Sequence, residues 1–155
     1  MTNNDVLRRI RYIFSLTDKK MIALFAAGGL EATRADVSQW LKKDEDPDFQ
    51  KCTDLKLARF LNGFIIEHRG KKEGEEPVAE TRLTNNIIFR KLKIALNLTS
   101  TDILALLQDT NFRLGKSELS AFFRKPTHVL YRECQDQILR NFLQALLHKH
   151  HKSQS

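Results

Sequence analysis

Apolar residues in this chain recur at intervals of three and four, in stretches separated by short polar or glycine-bearing breaks. That is the period of helices burying one face. Val6, Ile10, Ile13 and Phe14 follow an asparagine pair able to cap a first helix. Leu16-Thr17-Asp18 offers side-chain oxygens to start a second, which carries Met21 to Ala26. A short third holds Val37, Trp40 and Leu41, and a fourth, the most amphipathic, holds Leu57, Phe60, Leu61, Phe64 and Ile65. Prolines stand only at 47, 77 and 126, outside these stretches, and no alternating strand pattern competes. The pattern predicts an all-α chain.

The pattern then starts again. Shifting the chain by 82 residues lays Thr2 to Arg69 on Thr84 to His151 without a gap, with sixteen identities. Thr2-Asn3-Asn4 falls on Thr84-Asn85-Asn86, Arg8 on Arg90, Leu16-Thr17 on Leu98-Thr99 and Trp40 on Phe122. Cys52 falls on Cys134, Asp54 on Asp136, Phe60-Leu61 on Phe142-Leu143 and His68 on His150. The chain is an internal duplication of a four-helix unit, about eight helices in all. Residues 1–70 form a first repeat and 84–155 a second, with a charged linker over 71–83, where glycine, proline and dense charge suit a solvated connector. A unit this small would be marginal alone, so the expectation is that the two pack about a local two-fold axis and share apolar surface.

Charge separates the copies. Of a net +7, residues 1–69 carry 12 basic against 10 acidic side chains, 70–83 carry 3 against 4, and 84–155 carry 11 against 5. An acidic partner, nucleic acid or protein, is therefore expected chiefly at the second copy. Two cysteines are too few for a secreted disulfide framework. No apolar run approaches the roughly 18 residues that cross a bilayer. The opening MTNNDVLRRIRYI lacks the layout of a secretion signal. The expectation is a cytoplasmic protein with no membrane partner.

Three surface features are candidates. The first is an outline of helix-turn-helix type in KKMIALFAAGGLEATRADVSQWLKK and, one repeat later, in DILALLQDTNFRLGKSELSAFFRKP. Its turn is longer than the usual three or four residues, and a generic pair of packed helices gives the same outline. After Lys42-Lys43 the first copy runs into Asp44-Glu45-Asp46-Pro47-Asp48, which phosphates would repel, whereas the second puts Pro126-Thr127-His128-Val129-Leu130 there. Phosphate contact is thus expected from Lys116, Arg124 and Lys125, with Arg113 nearby. The second feature is the basic face of the first helix, with Arg8 and Arg11 three apart, repeated as Arg90 and Lys93, and flanked by Arg9 and Lys91. A solvated helix face would look the same. The third is the repeat-equivalent pair Cys52 and Cys134, near a helix start that favours thiolate. Their neighbours supply no convincing base, and a small buried cysteine fits as well.

Catalysis has no nominee. G-x-G-x-x-G, Walker-type loops, H-E-x-x-H and G-x-S-x-G are all missing from the sequence. The histidines of HKHHKSQS lack the companions of a structural zinc site, so no metal or cofactor is assigned. The reading is a non-enzymatic helical repeat that binds an acidic partner, nucleic acid first. A protein-interaction adaptor with an apolar groove between the repeats is the alternative, and an enzyme with an unrecognised site stands last.

The segments NNDVLRRIRYI, QWLKKDED, FQKC, FLNGFI and RECQDQILRNFL occur here in an order that resembles the YehS-like family of bacterial proteins, over essentially the full length. The resemblance implies a cytoplasmic bacterial protein built from a tandem helical repeat. It implies no activity, cofactor or catalytic residue.

Overall fold

A computed structural model of the chain describes residues 1–70 and 77–152. Eight helices make up the described residues, with no strand among them: α1 Asn3–Ile13, α2 Asp18–Ala27, α3 Arg34–Leu41, α4 Asp54–Arg69, α5 Asn85–Ala95, α6 Ser100–Asp109, α7 Lys116–Phe122 and α8 Asp136–Lys152. The chain divides into two compact units, Met1–Leu83 and Thr84–Ser155. The duplication is therefore structural as well as sequential.

Six of the eight helices start at threonines. The side chains of Thr2, Thr17, Thr33 and Thr53 cap α1 to α4, and those of Thr84 and Thr99 cap α5 and α6, each accepting from a backbone N–H in the first turn. Such a cap contributes about 1 kcal/mol. This corrects the expectation that an asparagine caps the first helix: Asn3 and Asn4 lie inside the first turn, and their side chains reach elsewhere. The exits also repeat. Ser15 and Asn97 stand just after α1 and α5 with φ of 51° and 53°, and Gly29 and Asn111 follow α2 and α6 with φ of 91° and 61°. Asparagine tolerates that left-handed turn, so a glycine in one copy and an asparagine in the other end the helix alike.

In the first unit α4 packs against both α1 and α2, and α3 lies across those two. The core gathers Val6, Leu7, Ile10, Met21, Leu24, Phe25, Val37, Trp40, Leu57, Phe60, Leu61 and Phe64, all buried. Phe25 stands at its centre, 4.9 Å from the Phe60 ring and 5.0 Å from Trp40. Glycine sets how closely α2 and α4 meet. A Cβ at Gly63 would lie 1.8 Å from the Leu24 carbonyl oxygen, and one at Gly28 would lie 1.6 Å from that of Arg59.

The second unit keeps the plan and moves the aromatic rings. Thr110 and Ala145 replace the two glycines, and Leu107 replaces Phe25. Phe89, where the first copy has Leu7, stacks on Phe142 at 4.4 Å and meets Phe123 edge-on at 5.1 Å. Ring packing thus passes from the α2–α4 contact to the α5–α8 contact.

Polar ties repeat most faithfully. Asn4 is buried; its Nδ2 donates to the carbonyls of Trp40 and Gln50, both at 2.9 Å, and its Oδ1 accepts from Cys52 N at 3.0 Å. Asn86 does the same with Phe122 O, Arg132 O and Cys134 N at 3.0, 2.8 and 2.9 Å. One residue earlier, Asn3 donates to Cys52 O and Asp54 Oδ1, and Asn85 to Cys134 O and Asp136 Oδ1. Each asparagine pair thereby binds the first helix of its unit to the end of the third, the following loop and the start of the fourth.

Of the linker expected over 71–83, residues 71–76 lie outside the described residues. Residues 77–83 run back beside α4: Asn62 Nδ2 donates to Val78 O at 2.9 Å, and Leu83 N donates to Asp54 Oδ2 at 2.9 Å.

Replacing Asn4 or Asn86 by alanine removes three hydrogen bonds, two of them buried, and leaves their partners without them, at about 1–3 kcal/mol per orphaned buried group. Either variant is expected to lose about 3 kcal/mol or more in urea unfolding, against about 1 for Thr2→Ala. Gly63→Ala is expected to cost about 1–3 kcal/mol by forcing α2 from α4, while Ala145→Gly, with no such clash to relieve, loses no more than about 1.

Candidate functional site

In the first unit the basic face of α1 is spoken for. Arg8 donates to the Lys42 carbonyl and pairs with Asp5 at 2.5 Å and Asp44 at 3.4 Å. Arg11 donates through Nε to Leu16 O at 3.2 Å and pairs with Asp18 at 3.1 Å. These guanidinium groups hold α1 to the end of α3 and the start of α2. The acidic loop that follows α3 supplies one of the carboxylates.

The second unit has lost each of those carboxylates. Ile87, Ser100 and Pro126 stand at the repeat positions of Asp5, Asp18 and Asp44. Arg90 is exposed, and Lys93 lies with its ammonium 5.5 Å from the centre of the Phe123 ring. That cation–π contact brings α5 up to the end of α7. Lys91 is placed differently, at 8 % exposure, turned toward the interior. Among the described residues no ion pair engages Arg90, Lys93, Lys116, Arg124 or Lys125.

Beyond Phe123 the surface becomes concave. An open groove of about 420 Å³ is lined by Lys116, Ser117, Glu118, Ser120, Ala121, Arg124, Leu130 and Arg132. Lys116 and Arg124, expected from the sequence, are brought together here, and Lys125 is exposed just past the rim. Arg132 joins them unanticipated. Its carbonyl accepts from Asn86 and its N–H donates to Ala121 O at 3.2 Å, so a residue with no helical period is nonetheless fixed in place. Three cations against one carboxylate, with two serine hydroxyls between, suit an anion carrying several oxygens.

The segments with the helix-turn-helix outline are helix pairs joined by loops of equal length in the two copies. Six residues, 28–33 and 110–115, separate the two helices in each copy, and α7 has 7 residues. Val37 and Trp40 are buried and seat α3; Leu119 and Phe122 do so for α7. The outward residues of α7 include Lys116, Ser117 and Glu118, so a carboxylate sits among the cations.

The cysteines are buried free thiols. Burial pushes each up to about 12, and neighbouring Asp54 and Asp136 add to the rise, so neither is a thiolate at neutral pH. His68 bonds through Nδ1 with Phe64 O at 2.8 Å and packs against the Phe64 ring. Among the described residues no group of three or more histidine, cysteine or carboxylate side chains could hold a metal. None of their helices is long and apolar enough to cross a membrane.

The family described as "Protein of unknown function (DUF1456)" matches this chain twice, over residues 3–70 and again over 85–151. The chain is also 42% identical over 152 residues to a protein of Escherichia coli (strain K12) named "Uncharacterized protein YehS", with 97% of each chain covered. No solved structure matches it.

The raised thiols carry a pH dependence. A thiol ionises near pH 8.5 in an unfolded chain and about 12 in this fold. Its burial therefore favours the folded state fully below about pH 8.5, and that contribution drains away as pH rises toward 12. Between about pH 8.5 and 10.5 the urea midpoint of the native protein is expected to fall more steeply than that of Cys52→Ala/Cys134→Ala. Equal slopes would show that the thiols ionise as freely folded as unfolded.

Proposed function

We propose that this chain, which belongs to the DUF1456 family, binds nucleic acid through the phosphate backbone, using the basic surface of its second unit. The observation that carries the reading is the asymmetry of a duplicated fold. Arg8 and Arg11 of α1 are paired with Asp5, Asp18 and Asp44, while uncharged residues stand at the repeat positions of those acids beside Arg90 and Lys93 in the sequence of the second unit. The replacements leave Arg90 exposed with no ion pair among the described residues and Lys93 against an aromatic ring that does not neutralise it. Arg90 and Lys93 on α5, Lys116 on α7, and Arg124, Lys125 and Arg132 beyond it supply the contacts. Lys91 is left out because it is buried. Phosphate contacts of this kind position a ligand and carry no sequence information. With Glu118 beside Lys116 and α7 only 7 residues long, base readout by a recognition helix has little support.

Labelled duplex DNA and a structured RNA, titrated with the full chain at two salt concentrations and followed by fluorescence polarisation, test the reading. Dissociation constants of about 1–100 μM at physiological salt are expected, with a log–log salt slope near −4 if about four or five phosphates are engaged. Arg90→Glu/Lys93→Glu and Arg124→Glu/Lys125→Glu are each expected to weaken binding about tenfold or more. Lys42→Glu/Lys43→Glu, the change equivalent to the second of these in the first unit, is expected to change it by less than about twofold. Absence of binding to either probe at low salt would overturn the reading.

A further inference from the structure

We infer that Val129 and Leu130 form an apolar wedge that inserts between bases of the bound nucleic acid, an inference that rests on the phosphate-binding reading above. Val129 is 91% exposed and Leu130 57%, in the loop between α7 and α8, with Leu130 also forming part of the groove wall beside Arg124 and Arg132. Two aliphatic side chains held in water side by side call for a partner that covers them. The first unit shows that the loop does not need them: Pro47 and Asp48 occupy the same positions, directly after Asp44-Glu45-Asp46.

The loop presenting them is rigid for its length. His128 N donates to Lys125 O at 2.8 Å, Tyr131 N to His128 O at 3.0 Å, and Leu130 N to His128 Nδ1 at 3.0 Å. At its far end Arg132 is bound at both its N–H, to Ala121 O, and its carbonyl, by Asn86. The tip is therefore pre-organised, and little ordering entropy opposes its insertion.

Charge complementarity identifies what covers the tip. Arg124 and Arg132 line the groove with Leu130, with Lys116 and the single carboxylate of Glu118 further along it, so the covering surface carries anions next to apolar faces at atomic spacing. A nucleic acid strand does so, with phosphates to meet the arginines and base faces to receive the aliphatic pair. An anionic bilayer offers the same two chemistries but is planar. It would meet the convex tip and leave the concave groove, with its Lys116 and serine hydroxyls, unfilled. A strand fills both. The wedge separates one base step, so the ligand class is nucleic acid whose bases unstack readily: single strands, mismatches and flexible pyrimidine–purine steps.

The test uses the full chain and Val129→Ser/Leu130→Ser, whose replaced side chains are exposed, with circular dichroism and thermal melting to confirm an unchanged fold. The probe is a duplex with a central 2-aminopurine, alone or opposite a mismatch, read by fluorescence and by polarisation. The wild-type chain is expected to raise 2-aminopurine fluorescence severalfold at saturation. It should bind the mismatched duplex about tenfold tighter, the saving of one unstacked step. The serine variant should keep the salt slope and lose both effects. Wild-type binding without a fluorescence rise, or a rise that survives in the variant, would overturn the wedge and leave the phosphate reading standing. No polarisation change with any probe would overturn both. If phosphatidylglycerol vesicles instead bind the wild type and not the variant, the tip is a membrane anchor and the wedge is refuted.

Discussion

One side chain in each unit carries more of the structure than its size suggests. Asn4, and again Asn86, is a buried amide that donates twice and accepts once, to groups 36, 46 and 48 residues away. A buried amide must satisfy both ends or cost the fold several kcal/mol, so the third helix, its following loop and the fourth helix all take their places relative to the first. The consequence is a loop held by something outside itself. Because its backbone is fixed by an asparagine on another helix, the loop needs from its own side chains only one turn-closing acceptor, and the remaining positions are released from structural duty. That explains how DEDPDFQ and PTHVLYR adopt matching turns: Asp48 N donates to Asp46 Oδ1 in one and Leu130 N to His128 Nδ1 in the other.

The released side chains went opposite ways. In the first unit the loop spends Asp44 on Arg8, drawing charge inward. In the second the loop keeps its charge outward and adds apolar surface. The helix faces show that polarity itself is not what the fold requires. Lys20 on α2 pairs with Glu67 on α4, while on the equivalent positions Asp102 on α6 attracts Lys149 on α8, the same link with its signs exchanged. A pair can be inverted without loss because only the attraction matters. A cation whose carboxylate has been replaced by isoleucine, serine or proline cannot be read that way, since no inversion restores the attraction. Those three replacements add +3 to the charge of the second half of the chain.

The three-four period of apolar residues made the helices legible, and one constant offset made the duplication legible, because both are written in local sequence. What lay beyond reach was long-range. Asn3 looks like a cap by residue type, but its partners are about fifty positions away, and Thr2 takes the capping role. Arg132 was missed as a candidate because it belongs to no periodic element; the exchange of Gln50 for arginine between repeats was the available signal. Lys91 could have been placed correctly, since it stands three residues after Ile88 and four before Ala95, on the buried stripe of α5. The described end of the linker, with Asn62 and Asp54 holding it to α4, was hidden by a composition that reads as solvated. Arg8 and Arg11 were legible as a basic face and illegible as a satisfied one, because nothing in their spacing announces Asp44.

Duplication lets these demands be divided. A single copy would have to use Arg8-type cations for holding α1 against its neighbours and also offer them to a ligand, and an ion pair that stabilises the fold is an ion pair the ligand must break. With two copies the trade disappears. The second unit can give up its three carboxylates because its cohesion rests on other contacts: Asn86 still binds the loop, Phe89 stacks on Phe142 where the first copy has an aliphatic side chain, and Lys93 finds the Phe123 ring in place of an acid. A cation held over an aromatic face keeps its full charge, unlike one held by a carboxylate, and remains available to a phosphate. Replacing three acids by isoleucine, serine and proline under a fixed asparagine frame therefore turns a neutralised surface into a cationic one while leaving the fold alone, and that cationic surface is the one the phosphate-binding proposal uses.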